Sequence, residues 1–163
     1  MGSVAPFLIF YLGAALAAVT SGRLRQVILL AIPVVGAVNL YYLPMGSYNA
    51  FEIFDYTIVL TRVDKLSVVF GYVFHLAALL GLIYSLHVRD TVQHVSGILY
   101  AGSSIGALFA GDLISLFVFW EMTALTSVFL IMARRTERAQ KTAMRYLVIQ
   151  VLSGVILLAG ALI

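Results

Sequence analysis

Six long apolar runs separated by short charged turns leave this chain little freedom of architecture. They fall at 4–21, 26–44, 66–88, 92–111, 113–133 and 142–163. Each reaches the roughly 17 residues at which a helix can cross the ~30 Å hydrocarbon layer of a bilayer. Only helices and closed barrels satisfy every backbone N–H and C=O in hydrocarbon, so the expected fold is an all-α, polytopic transmembrane bundle of about six spans. Those spans take up most of the 163 residues and leave no other stretch longer than about 20, which excludes a soluble catalytic domain, a nucleotide-binding fold or a nucleic-acid module on the same polypeptide. Composition agrees: 10% of residues are charged, against about 25% in soluble domains.

The lipid bilayer is therefore the first partner. No nucleic acid is expected despite a formal charge of +3, because the Lys and Arg residues sit mostly in the turns. There they read as topology signals. Arg23, Arg25, Arg89, Arg134, Arg135, Arg138 and Lys141 share one side, whereas the other holds only Arg62 and Lys65. Cytoplasmic loops carry the positive excess, so the N-terminus is expected outside. The chain has no cysteine, which excludes disulfides and thiolate metal sites. No metal or cofactor is expected. Met1-Gly2-Ser3-Val4 lacks the basic flank of a cleaved signal peptide.

The one sizeable loop, 45–65, carries Glu52, Asp55, Arg62, Asp64 and Lys65. Its stretch from Phe51 to Leu60 is aromatic and β-branched, which predicts a hairpin or extended segment at the membrane surface. In the fourth run Gly102, Gly106 and Ala110 recur every four residues, a stripe of small side chains where another helix can approach closely.

Glu121 is the residue that lipid cannot explain. It lies nine residues from Asp112 and thirteen from Arg134, which at about 1.5 Å per residue places it near the bilayer midplane. An ionised carboxylate there costs a few kcal/mol or more, so it must face protein and be paired or protonated. Burial favours the neutral acid and a nearby cation favours the carboxylate. A group held between those pressures can exchange a proton when its partner moves. The bland alternative is a protonated glutamate acting as interhelical glue.

His75 is also at mid-depth, in the third run, as a proton relay, a haem ligand or a neutral histidine satisfied by one hydrogen bond. Bis-histidine ligation would need a second histidine at matching depth, and His87 and His94 lie at the run ends. Arg145 leads a polar series with Tyr146, Gln150 and Ser153 in the sixth run; it either snorkels to the headgroups or forms the inner end of a polar path. Asp112 opens the fifth helix, where a cap role suffices. The cluster from Arg134 to Lys141 reads as a loop that touches anionic lipid.

The run Ala110-Gly111-Asp112-Leu113-Ile114-Ser115-Leu116-Phe117-Val118-Phe119-Trp120-Glu121, with Arg134-Arg135 and Arg145-Tyr146-Leu147 after it, resembles the antiporter-like subunits of respiratory complex I, membrane-bound hydrogenases and Mrp-type cation/proton antiporters. Arg62-Val63-Asp64-Lys65-Leu66-Ser67 is similar to their N-terminal region, and the nearest likeness is to the antiporter-like component of the multisubunit Mrp-type sodium/proton antiporters and its hydrogenase relative. The apolar runs divide the chain into helices 1–2 over 1–44, an external loop over 45–65 and helices 3–6 over 66–163, and the resemblance, which covers the chain from about residue 50 onward, implies that the last segment holds the start of the antiporter-like core. It implies that Glu121 pairs with a lysine on a broken seventh helix, and that this switchable pair couples proton movement to the complex.

The lysine, the later helices of the hydrophilic axis and the lateral helix have no counterpart in the sequence. The remaining helices are expected from a partner membrane subunit or a continuation of the chain. The resemblance thus implies a component of a multisubunit Na+/H+ antiporter in the cell membrane, with Glu121 in proton translocation and His75 and Arg145 as further candidates. It would be a secondary transporter subunit and not an enzyme. The alternatives are a non-redox, proton-pumping subunit in the membrane arm of a hydrogenase or NADH-quinone oxidoreductase, or a scaffold without its own ion path.

Overall fold

The computed structural model describes residues 4–53 and 56–161; residues 1–3 ahead of the first run, Phe54 and Asp55 within the expected hairpin, and residues 162–163 at the end of the sixth run lie outside them. The described residues form six helices and one hairpin: α1 Pro6–Val19, α2 Gly22–Tyr42, β1 Gly46–Ile53, β2 Tyr56–Val63, α3 Lys65–Ser85, α4 Thr91–Phe109, α5 Leu113–Met132 and α6 Glu137–Ala161. This is the expected all-α membrane bundle with its surface hairpin.

Helix boundaries differ from the apolar runs where charge and helix geometry part company. Helix α2 starts at Gly22 and takes in Arg23 and Arg25, and α6 starts at Glu137, five residues before its apolar run. Ahead of α6 the Thr136 hydroxyl accepts the Ala139 N–H at 3.1 Å, so the helix is nucleated in the polar turn. Four helices, α2, α3, α5 and α6, are long and apolar enough to cross a membrane by length and composition. Helix α1 is shorter, at 14 residues, because Pro6 opens it and Thr20 closes it in extended backbone. Helix α4 is diluted by Gln93, His94, Ser96, Ser103 and Ser104.

The core lies where α1, α2, α3 and α4 meet, with Phe10, Leu29, Leu40, Ile98, Ile105 and Phe109 buried together. The small-residue stripe of α4 serves two neighbours rather than one. A side chain at Gly102 would strike Phe10 and Tyr11 of α1, and one at Gly106 would strike the ring of Phe119 of α5. Beside the first contact, Tyr11 and Ser103 share a hydrogen bond of 3.0 Å. Helix α6 packs on α5 and leaves most of its apolar surface uncovered.

Three carboxylates start three helices, where free N–H groups and the helix dipole favour negative charge. Asp64 and Ser67 form a reciprocal capping box on α3, Asp90 accepts the Val92 N–H at 3.0 Å on α4, and Asp112 caps α5.

The basic loops converge at one end of the bundle. Arg25 donates to the Thr91 hydroxyl at 2.7 Å, Gln26 to the Leu86 carbonyl at 3.3 Å, and Arg135 pairs with Asp90 at 3.1 Å. The hairpin and the α4–α5 turn lie together, joined through β2.

Candidate functional site

Glu121 is the ninth of the twenty residues of α5. Its side chain turns towards α6 and lies on the backbone at Gly154: a Cβ added there would overlap Oε1, and would also approach the ring of Phe117. Oε1 is buried and has no hydrogen-bond partner among the described residues. No described cation forms an ion pair with it either. The lysine pairing implied by the resemblance is therefore not made within residues 4–161.

A buried oxygen without a donor is an unfinished arrangement. Leaving such a group unpaired costs about 1–3 kcal/mol, more if it is charged. A cation or donor arriving from outside lowers that cost. The glycine is what makes the site: only a residue without Cβ lets a carboxylate rest on the facing helix. Farther along the same interface, the Ser127 hydroxyl donates to the Tyr146 hydroxyl at 3.0 Å and fixes the register of α5 on α6.

His75 stands at the middle of α3 and is 2% exposed. Its Nδ1 bonds to the Gly71 carbonyl at 2.6 Å, which makes Nδ1 the donor. That leaves Nε2 as an acceptor, buried and unpartnered, against Gly36 of α2, with the ring of Phe10 edge-on at 5.3 Å. It thus belongs to the α1–α2–α3 interior, while Glu121 belongs to the α5–α6 interface.

Arg145 is exposed on α6. It precedes Gly154 by nine residues, and at 3.6 residues per turn that is two and a half turns, which puts it on the opposite side of the helix from the Glu121 contact. The three residues that sequence reasoning grouped are therefore not brought into one constellation.

Asp112 does more than the capping expected of it. Its Oδ1 accepts the Ser115 N–H at 2.8 Å, while Oδ2 accepts the Ser115 hydroxyl at 2.6 Å and the Val59 N–H of β2 at 2.7 Å. The preceding Gly111 donates its N–H to the Val59 carbonyl at 2.9 Å. A Cβ at Gly111 would meet the Val59 side chain at 2.5 Å, so the Gly-Asp pair is a clamp between hairpin and bundle. Burial pushes the Asp112 carboxyl up, but the bonds from the Ser115 hydroxyl and from the Ser115, Val59 and Ile114 amides outweigh it and hold the group below its ordinary range. The glycine ahead of the aspartate was the available sequence signal. Gly154, by contrast, carried no signal until its partner was known.

No curated protein sequence matches this chain significantly. Among solved structures, it superposes on a chain of the membrane-bound sulfane sulfur reductase, an archaeal respiratory membrane complex, with a TM-score of 0.75 at 17% identity. The match covers 96% of this chain and 34% of the other, so this chain spans about a third of the length of that relative. At that identity the likeness establishes the fold. Residues 110–163 match the family described as NADH:quinone oxidoreductase/Mrp antiporter, transmembrane, and this segment holds Asp112, Glu121 and Gly154 together. The resemblance read from the Gly-Asp to Trp-Glu run is thus supported in two ways: residues 110–163, a third of the chain, match the family model, and the likeness in fold extends over nearly the whole chain.

Proposed function

We propose that the chain is the N-terminal helical part of a proton-translocating antiporter-like unit, working in a multisubunit complex of the cell membrane, and that Glu121 is its proton-exchanging group. The observation that carries this reading is the buried, partnerless Oε1 of Glu121, seated on Gly154 inside the segment that matches the antiporter family. When a cation from a later helix approaches, the carboxylate is stabilised as an anion; when it withdraws, the desolvation cost favours proton uptake. That cation would come from another chain or a longer form of this one. The segment 45–65 would face outside, and the basic loops the cytoplasm.

The first form of this reading is a component of a Na+/H+ antiporter of the Mrp type. The second, favoured by the fold match to a respiratory complex, is a proton-pumping membrane-arm subunit driven by electron transfer elsewhere. Glu121 has the same role in both. His75 remains a candidate relay through its free Nε2, and Arg145 a candidate inner cation.

The test is Glu121→Gln in the native complex, reconstituted in sealed vesicles. Assembly should persist, while proton movement driven by a sodium gradient, or by the electron donor of the complex, falls by about a hundredfold or more, the low end of what a positioned proton-transfer group contributes. Normal proton movement in that variant removes the proposal. Which of the two drivers produces the movement in the unmodified complex separates its two forms.

A further inference from the structure

The basic end of the bundle contains a recess unrelated to Glu121. A cavity of about 590 Å³ is lined by Ser21, Gly22, Arg23, Arg25, Arg89 and His94, among others, and no carboxylate lines it. The nearest acid in sequence, Asp90, is already paired with Arg135 at 3.1 Å. Arg25 is committed as well, donating to the Thr20 carbonyl at 2.8 Å and to Thr91 at 2.7 Å, so it shapes the wall. Arg23 and Arg89 are exposed, and neither forms an ion pair with a described residue. The α2 N-terminus opens at the same place, with Ser21 making no side-chain cap bond. The recess is thus rich in donors and poor in acceptors.

A second cavity, of about 480 Å³, runs between α3 and α4 and touches Leu130 of α5. Its walls are small and mostly apolar, with Ala77 and Gly81 on α3 facing Gly97 and Ala101 on α4. Gly81 and Gly97 differ from the packing glycines, because a Cβ at either would meet nothing within 4 Å. They keep the groove open where Gly102 and Gly106 close helices together. His94 lines both cavities, is 4% exposed, and carries a buried Nδ1 without a partner, its Nε2 being bonded to the Val88 carbonyl at 2.9 Å.

We propose that the two cavities form one binding site for an anionic phospholipid, with the phosphate headgroup against Arg23 and Arg89 and an acyl chain in the α3–α4 groove. Basic recesses between transmembrane helices suit such headgroups. The volumes fall within the ~300–1,000 Å³ of sites that hold small ligands. Charge selects the headgroup, and the open glycines admit the chain. His94, at the junction, contributes to the walls of both cavities.

The native complex carrying this chain would be purified in mild detergent, and its retained lipids identified by mass spectrometry. Thermal stabilisation would be measured on adding phosphatidylglycerol, phosphatidylcholine or inorganic phosphate. Phosphatidylglycerol should be retained and stabilising, with the other two weak. An R23Q/R89Q double variant should weaken phosphatidylglycerol binding on the order of tenfold or more, since each surface cation contributes about a fivefold factor. R23K/R89K should restore it. Gly97→Leu should fill the groove and abolish retention without touching a charge. Equal retention by the R23Q/R89Q variant, equal stabilisation by phosphatidylcholine or by phosphate alone, or a protein chain seated in the α3–α4 groove would each overturn the proposal. If R23Q/R89Q fails to assemble, the Gly97→Leu result decides.

Discussion

The carboxylate of Glu121 occupies the space that a side chain on Gly154 would need. Glycine in a membrane helix is usually discussed as a means of bringing two backbones together; here it makes room for an acid. The consequence is direct. Gly154→Ala forces the carboxylate off the α6 surface, at a cost of about 1–3 kcal/mol for overpacking. Glu121→Ala in the same background removes the clash, so the two substitutions should couple by about 1 kcal/mol or more in a double-mutant cycle. Unfolding of the four proteins in detergent measures this, and simple additivity would refute the contact.

Asp112→Ala should cost about 1–3 kcal/mol, because it removes the α5 cap and leaves the Val59 N–H without its acceptor. Hydrogen exchange at the Val59 amide should accelerate. Gly111→Ala should loosen the hairpin as well, through the collision with Val59, while leaving the cap intact. Unchanged exchange at Val59 in both variants would show that the clamp does not hold the hairpin.

Acid should release that clamp. Asp64 is held below its ordinary range by the Ser67 amide above all, against some desolvation, with help from the Ser67 hydroxyl and Arg62; Asp112 lies low through its hydrogen bonds. Groups depressed on folding contribute stability that is fully present above their unfolded value of about 3.9 and lost as pH falls through the lower folded values. Protease accessibility of the hairpin should therefore rise only below about pH 4. Asp112→Asn should flatten the profile; a transition near neutrality would assign the effect elsewhere.

Ser127→Ala and Tyr146→Phe each delete the α5–α6 hydrogen bond of 3.0 Å. Side-chain hydrogen bonds between membrane helices average about 0.6 kcal/mol, so each variant should lose about that much. The double variant should lose little more, as both remove one bond. Fully additive losses in detergent unfolding would mean that the hydroxyls act separately.

Much of this protein is legible in the sequence because hydrocarbon is an unforgiving solvent. Apolar runs too long for anything but helices, a single polar loop with β-branched residues, and an acid at mid-depth all state their environment without reference to neighbours. Charge alone segregated the loops, and the structure gathers them at one end through Arg25–Thr91 and Arg135–Asp90. The Gly-Asp to Trp-Glu run announced the family because its residues are consecutive, and residues 110–163 match it.

What required the tertiary structure was every relationship between residues distant in sequence. Nothing in the local pattern pairs Gly154 with Glu121, ties Asp112 to Val59, or separates His75 from the α5–α6 interface. Each depends on which helix faces turn towards one another, and lipid, being as apolar as the helix surfaces, does not mark those faces. Depth and helicity are properties of a segment in its solvent, so the sequence carries them. Partnership is a property of the packing, where a missing Cβ or one buried oxygen decides the outcome.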